Sequence, residues 1–181
     1  YIGVSADHPA SFRRYLRERL TSKAPIGTAH FIEGDAADLD GEVARLNRLL
    51  GAVPIDAAFV GVGENGHLAF NDPPADFDTE TPYLVVSLDE GCRRQQMGEG
   101  WFKTLDEVPR RAISISVRQI MKSAHIICTV PEKRKAQAMK VCLEKEVGPM
   151  FPASILRTHP SCHLFLDKES ASLLKPATLS A

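Results

Sequence analysis

Apolar and polar positions alternate along the chain in a way that predicts strands and helices in turn. A nearly continuous apolar run at 57–62 is typical of a strand covered on both faces in a parallel sheet. The same reasoning predicts further strands at 29–32, 83–88, 112–117, 125–130 and 163–166. Helical periodicity predicts helices starting near Pro9 and at 41–50, 89–98 and 132–145, with short helical turns at 154–156 and 170–174.

The apolar face of the first helix is predicted to contain Phe12, Tyr15, Leu16 and Leu20, with arginines on its other side. Strands that alternate with helices indicate an α/β fold with three layers, Rossmann-like in architecture, around a mostly parallel sheet. No repeat or linker interrupts the pattern, so we predict a single domain over 1–181.

The run at 57–62 leads directly into a turn that contains Gly61, Gly63 and Gly66 and that presents His67 and Asp72 five residues apart. Glycines allow backbone N–H groups to approach a ligand closely, and open α/β folds bind ligands at the carboxyl edge of the sheet. An imidazole can take or give a proton near neutral pH, and a carboxylate can orient it. The pattern therefore indicates an acid/base site.

A purely structural interpretation of the same residues stays open on the pattern alone. His67 would then be a buried histidine bonded to a backbone carbonyl, beside a turn formed by 71–73. A second open question concerns Lys133, Arg134 and Lys135, which fall where a predicted strand ends and a helix begins. They could hold an anion at the positive end of the helix dipole, or they could be a solvated charged face.

Composition narrows the classes of function. The 181 residues are 44% hydrophobic and 25% charged, with a net charge of −1 and a pI near 6.7. These values are ordinary for a globular domain and argue against a nucleic-acid-binding stripe or a membrane-surface patch. No apolar run approaches the roughly 18 residues that a membrane span needs. We therefore expect a cytoplasmic protein that acts on a small molecule.

The four cysteines, Cys92, Cys128, Cys142 and Cys162, are scattered without a close pair, which favours free thiols over a disulfide framework or a zinc knuckle. His159, Cys162 and His163 lie close together in sequence, but 162–166 is better explained as a strand. No metal site is therefore predicted.

The segment 66–73, GHLAFNDP, resembles the signature of the glucosamine-6-phosphate deaminase family, in which Gly-His is followed by a stretch close to Ile-Ala-Phe-Asn-Glu-Pro. The sister family of 6-phosphogluconolactonases shares the fold and the Gly-His but typically continues with Thr-Ala-Ser-Leu-Phe-Pro. The segments 1–3, 7–12, 152–154 and 159–160 also resemble the deaminase family. The resemblance therefore spans nearly the whole chain and favours the deaminase branch.

The resemblance implies a mechanism without a metal or an organic cofactor. His67, supported by Asp72 and Asn65, would open the sugar ring by moving a proton between the ring oxygen and the C1 hydroxyl. The glycines at 61, 63 and 66 would contact the sugar, and Lys135 matches a family lysine that contacts the phosphate. If Tyr1 is the tyrosine of the family's Asp-Glu-Tyr motif, the aspartate that acts at C2 would lie upstream of Tyr1, so we expect the chain to be the carboxy-terminal three quarters of a longer family domain.

Three departures from the family bear on the substrate. Asn65 stands where some members have an aspartate, and Asp72 stands where they have a glutamate, so the proton relay is expected to be rearranged. A phosphate-binding arginine of the family would fall near Gly98, and Arg93, Arg94 or Arg157 would have to compensate. The alternatives to a deaminase are a 6-phosphogluconolactonase, another sugar-phosphate isomerase, and a regulator that binds a sugar phosphate without turnover. Family members range from monomers to hexamers, so a homo-oligomer is possible.

Overall fold

The computed structural model describes residues 1–98 and 100–179, which form an alternation of strands and helices. The strands are β1 (Ala57–Val60), β2 (Tyr83–Ser87), β3 (Arg111–Ile115), β4 (His125–Val130) and β5 (Cys162–Leu166). The α-helices are α1 (Phe12–Leu16), α2 (Leu39–Ala52), α3 (Glu90–Gly98), α4 (Val117–Met121), α5 (Ala136–Glu144) and α6 (Pro176–Leu179). A π-helical turn, Arg17–Thr21, continues α1, and 3₁₀ turns lie at Leu105–Glu107, Lys133–Lys135 and Pro152–Thr158.

A parallel sheet forms the centre of the fold. Its strand order is β1-β4-β5, with Val60 opposite Cys128 and Val130 opposite Leu166. The carboxyl ends of β1 and β4 therefore meet at one edge, from which the glycine-rich loop and the lysine-rich turn both begin. This arrangement confirms the predicted α/β class with a parallel sheet.

The strands β2 and β3 form a separate antiparallel pair, with Val85 opposite Ile113. The alternation of elements had predicted only a mostly parallel sheet. The helix α4 was also missed, because the predicted strand 112–117 ends at Ile115 and the Ser116 side chain then caps a helix by accepting a hydrogen bond from the Gln119 N–H at 3.2 Å.

Residues 29–32 were predicted as a strand, and this prediction is wrong. Backbone groups of this region form hydrogen bonds with side chains of α2, and not with a neighbouring strand. The Arg45 guanidinium donates to the Phe31 carbonyl at 2.7 Å, and the buried Glu42 carboxylate accepts from the Glu33 N–H at 2.8 Å. Arg45 and Glu42 form an ion pair at 2.7 Å, so the Glu42–Arg45 ion pair holds the segment in place.

We expect Glu42→Ala to lower the free energy of unfolding by about 1–3 kcal/mol, because it leaves the Glu33 N–H and the Arg45 guanidinium without their shared acceptor. Urea denaturation measures the change. Asp40→Ala is the matched control, because Asp40 is an exposed acidic residue in the same first helical turn. Equal losses of unfolding free energy in the two variants would show that the Glu42–Arg45 ion pair contributes nothing beyond the interaction of an acidic residue with the helix dipole.

One face of the parallel sheet packs on α5 and the 3₁₀ turn Pro152–Thr158. Ile126, Cys128 and Val130 point into this core, together with buried side chains such as Met139 and Leu156. The opposite face was expected to be covered as well, but several of its side chains are exposed among the described residues. Its exposed side chains include Phe59, which is 78% accessible, and Phe165, which is 57% accessible.

The predicted apolar face of the first helix is exposed as well. Phe12 and Tyr15 are each 53% accessible, and Leu20 is 46% accessible. Phe12 still makes aromatic contacts with Tyr1 and Phe70, at ring-centroid distances of 5.6 and 6.1 Å. Amphipathic periodicity identified which side chains share a face, but it did not determine what covers that face.

Candidate active site

The glycine-rich loop folds back on itself directly after β1. The Gly63 N–H donates to the His67 carbonyl, and the Gly66 N–H donates to the Gly63 carbonyl, each at 3.0 Å. Val62 and Leu68 pair as an isolated antiparallel bridge, and Leu68 is completely buried. Because the two ends of the loop are paired and anchored in the core, the side chain of His67 is presented from a fixed backbone.

Two of the three glycines are required by geometry. A Cβ on Gly63 would lie 2.3–2.4 Å from the atoms of the His67 ring, so the imidazole packs directly on the Gly63 backbone. Gly66 has a φ of +86°, and a Cβ there would lie 3.2 Å from the Cys142 Sγ. Gly61 is unconstrained by comparison, since its Cβ would meet only the Thr129 carbonyl at 3.7 Å.

The structure brings His67, Asp72 and Asn65 together. Nδ1 of His67 lies 3.1 Å from Oδ1 of Asp72, and the same oxygen accepts from the Asn65 amide at 3.0 Å. The His67 and Asp72 side chains are only 12% and 8% accessible. Nδ1 is buried and faces this carboxylate.

Asp72 is held in its ionised form. Burial alone would raise the pKa of the carboxyl, but contact with the His67 ring, the Asn65 amide and the Asp89 N–H together hold the pKa below its usual value of 3.8. At neutral pH Asp72 is therefore a carboxylate that can stabilise positive charge on the imidazole. Such a pair can accept a proton at His67 and return it.

The turn at 71–73, which sequence reasoning treated mainly as a turn former, anchors the pair to β3. The Asn71 amide donates to the Leu68 carbonyl at 2.7 Å and to the Ile115 carbonyl at 2.8 Å. The Phe70 N–H donates to the Ser114 hydroxyl at 3.1 Å. The strand β3 thus holds the loop in position through hydrogen bonds, a role that no local sequence pattern indicates.

Lys135 lies at the end of the 3₁₀ turn that follows β4, and its side chain is buried, with 8% of the residue accessible. The neighbouring Arg134 is exposed and contacts Glu64 of the glycine-rich loop at 3.2 Å. The lysine-rich turn and the loop therefore meet at the same sheet edge. The role of Lys135 as a phosphate ligand remains a prediction.

The three arginines considered as replacements for the family's phosphate-binding arginine have different surroundings. Arg93 is buried and bonds the carbonyls of Val108, at 3.2 Å, and Leu105. Arg157 donates to the Lys145 carbonyl at 2.6 Å. Only Arg94 lines the open cleft of about 570 Å³ next to Asn65. The cleft is lined by Glu64, Asn65, Gly91, Cys92, Arg94, Gln95, Gly98 and Arg134.

Sequence reasoning missed the contribution of α3 to this site. The Asp89 N–H donates to Oδ2 of Asp72 at 3.3 Å, and the Asp89 carboxylate accepts from the Cys92 N–H. These bonds bring the buried Cys92 next to the His67–Asp72 pair. The sequence signal was limited to Asp89 as a helix-capping residue, since nothing local connects 89–92 to 67–72.

The three other thiols lie elsewhere. Cys128, Cys142 and Cys162 line an apolar cavity of about 190 Å³. Burial raises the pKa of Cys128 to about 12 and that of Cys142 to about 11, so both stay protonated at neutral pH. His163 lies on the outer face of β5 while Cys162 lies on its inner face, so strand geometry separates these two potential ligands.

Comparison with known proteins decides the family. A family described as glucosamine-6-phosphate isomerases/6-phosphogluconolactonase matches residues 3–164. The chain belongs to this family. The resemblance stated from the GHLAFNDP segment is thereby confirmed.

Relatives within the family include proteins named glucosamine-6-phosphate deaminase. The relative from Exiguobacterium sp. is 36% identical over 172 residues, which cover 95% of this chain and 66% of the relative. The relative from Listeria monocytogenes is 36% identical over 174 residues, which cover 96% of this chain and 73% of the relative. The chain thus spans about two thirds to three quarters of the length of these relatives.

Solved structures in the family share the fold. A structure described as a monomeric glucosamine-6-phosphate deaminase has a TM-score of 0.86 at 33% identity, over 96% of this chain and 71% of that chain. The 6-phosphogluconolactonase of Trypanosoma brucei has a TM-score of 0.70 at 18% identity, over 96% of this chain and 72% of that chain, which is a likeness of fold alone. Within 1–98 and 100–179, no helix has the length and apolar character needed to cross a membrane.

Proposed function

We propose that the protein acts on glucosamine 6-phosphate as a deaminase, converting it to fructose 6-phosphate and ammonium. The observation that carries the proposal is the buried His67–Asp72 contact at the end of β1, in a chain 36% identical to proteins named glucosamine-6-phosphate deaminase. The segment after His67 also supports the deaminase branch over the lactonase branch, because it reads Leu-Ala-Phe-Asn-Asp-Pro.

His67 carries the ring-opening step in this proposal. Its imidazole accepts the proton of the C1 hydroxyl and delivers a proton to the ring oxygen, which breaks the C1–O5 bond and yields the open-chain aldehyde. The Asp72 carboxylate stabilises the imidazolium while the proton is on the ring, and Asn65 orients Asp72 by donating to it. Transfer of the C2 proton to C1 then gives the 2-imine through an enolamine, and hydrolysis of this imine yields fructose 6-phosphate and ammonium.

The glycines shape the sugar subsite. The N–H groups of Gly63 and Gly66 donate within the loop, so their part in the proposed site is to hold the loop close to the sugar. Gly61 lies at the carboxyl end of β1, where ligands of open α/β folds bind. Lys135 supplies positive charge at the same edge of the sheet.

Of Arg93, Arg94 and Arg157, Arg94 is best placed to hold the substrate phosphate, because it lines the cleft beside Asn65. We expect Arg94→Ala to raise KM for glucosamine 6-phosphate about tenfold, equivalent to about 1.4 kcal/mol of lost binding, with a smaller change in kcat. Steady-state kinetics measure both. Arg94 is paired with Glu90 four residues earlier, so Arg14→Ala, which breaks the comparable pair of Arg14 and Glu18, is a suitable control. An unchanged KM in Arg94→Ala would exclude Arg94 as the phosphate ligand.

The proposed activity is tested by incubating the purified protein with glucosamine 6-phosphate and measuring ammonium and fructose 6-phosphate in parallel. Equal amounts of the two products are expected. The same preparation is given 6-phosphogluconolactone, and its hydrolysis without ammonium release from the amino sugar would favour the lactonase alternative. Tight binding of glucosamine 6-phosphate without any product would favour the regulator alternative.

A further inference from the structure

Three side chains of different chemistry converge at the base of the candidate site. The ligand atoms of His67, Asp72 and Cys92 all lie within 4.8 Å of one another. Zn²⁺ prefers imidazole nitrogen, thiolate sulfur and carboxylate oxygen at bond lengths of about 2.0–2.3 Å, and often keeps a fourth position open. A tetrahedral ion would need its ligand atoms about 3.3–3.8 Å apart, so a small closure of the cluster would suffice.

The elements that carry the three ligands are tied to one another. His67 and Asp72 lie on the loop after β1. Cys92 lies in the first turn of α3 and is 2% accessible. Asp89 joins the two parts, since its N–H donates to Asp72 and its carboxylate accepts from the Cys92 N–H. The cluster is thus part of the folded core and not a chance meeting of exposed side chains.

Within the cluster, a buried ring nitrogen faces a carboxylate that a second side chain orients. Nδ1 of His67 is buried and faces the Asp72 carboxylate. Asn65 donates to Asp72 and would orient this carboxylate toward an ion, as the outer partners of metal ligands commonly do.

We propose that His67, Asp72 and Cys92 form a binding site for Zn²⁺. Binding forms one bond each to Nδ1, to a carboxylate oxygen and to Sγ; the neutral imidazole then carries its proton on Nε2, and the Cys92 thiol releases its proton to solvent. The ion occupies the groups that the proposed deaminase uses for proton transfer, so it inhibits turnover. The inhibition rests on the proposed function, whereas the binding does not.

The direct test uses Co²⁺ as a spectroscopic probe of the purified, metal-free protein. We expect one equivalent of Co²⁺ to give a near-ultraviolet thiolate-to-cobalt band and visible bands of a tetrahedral site, and one equivalent of Zn²⁺ to abolish them. Absence of a thiolate band, or an equal response to Mg²⁺, would overturn the proposal. Because the readout is binding, a protein that lacks deaminase activity would still test it.

Variants identify the ligands. Cys92→Ser is expected to remove the thiolate band and to weaken Zn²⁺ binding by about 100-fold or more, while Cys162→Ser keeps both, since Cys162 lies in the separate thiol-lined cavity. His67→Asn provides a second test that leaves every thiol in place, and circular dichroism identifies any variant that does not fold. A thiolate band that persists in folded Cys92→Ser, or Zn²⁺ affinity unchanged in His67→Asn, would contradict the assignment.

Discussion

Replacement of His67 by alanine is expected to lower kcat for glucosamine 6-phosphate by about 10²–10⁴-fold, the range typical of a lost general acid/base group. Asp72 is not expected to take over the proton transfer, because in the variant the Asn65 amide and the Asp89 N–H still donate to its carboxylate and still lower its pKa. The imidazole is also the group against which Gly63 packs, so alanine leaves a space but no replacement donor. Ammonium release under saturating substrate measures the effect.

His125→Ala is the control for His67→Ala. His125 is exposed at the start of β4 and its Nδ1 lies 2.7 Å from the Ser161 hydroxyl, away from the candidate site. Its kcat should stay within about twofold of the original protein, since surface substitutions rarely alter the fold. A His67→Ala protein that is folded by circular dichroism and retains most of its turnover would remove His67 from the mechanism.

The parts of the fold that could be predicted from sequence depend on local patterns. β4 was predicted at its observed bounds, and β1 was predicted to within two residues, because both are apolar runs flanked by turn residues. The helix α2 was predicted from its helical periodicity, although it begins earlier, at Leu39, where the Asp38 side chain caps it by accepting from the Gly41 N–H.

The parts that could not be predicted depend on contacts between distant segments. Residues 29–32 have the composition of a strand, but Arg45 bonds the Phe31 carbonyl and Glu42 bonds the Glu33 N–H. Local sequence does not show that side chains, and not a neighbouring strand, are the partners of this backbone. The antiparallel direction of β2 and β3 is likewise a matter of pairing. Whether Phe59 lies under another layer depends on what packs there, not on its own strand pattern.

The candidate site also has features that could be predicted from sequence and features that could not. The pairing of His67 with Asp72 was predictable, because a tight turn brings back residues that are five positions apart. The position of Cys92 beside this pair was not predictable, because it depends on Asp89, a residue distant in sequence from the pair that bonds both Asp72 and the Cys92 N–H. Among the three arginines considered for phosphate, Arg93 bonds two backbone carbonyls whereas Arg94 lines the cleft, a difference that sequence alone could not show.

The second large effect is expected from Gly63→Ala. The φ of Gly63 lies outside the left-handed region, so alanine is compatible with the backbone, but its Cβ would lie 2.3–2.4 Å from the His67 ring atoms. The ring must move by an ångström or more and lose its position beside Asp72. A displacement of about 1 Å at a reacting group can lower turnover about 10²-fold. We therefore expect kcat to fall by about that factor, with a loss of about 1–3 kcal/mol in the free energy of unfolding.

Gly61→Ala is the matched control for Gly63→Ala, because the two glycines are in the same loop and receive the same methyl group. At Gly61 the Cβ meets only the Thr129 carbonyl, at an ordinary contact distance of 3.7 Å. Under saturating substrate its kcat should change by less than about threefold, since no catalytic group has to move, and an effect on the proposed contact of Gly61 with the sugar would raise KM instead. The comparison separates the position of the imidazole from the flexibility of the loop: equal losses of kcat in the two variants would show that loop flexibility, and not the packing of His67 on Gly63, governs turnover.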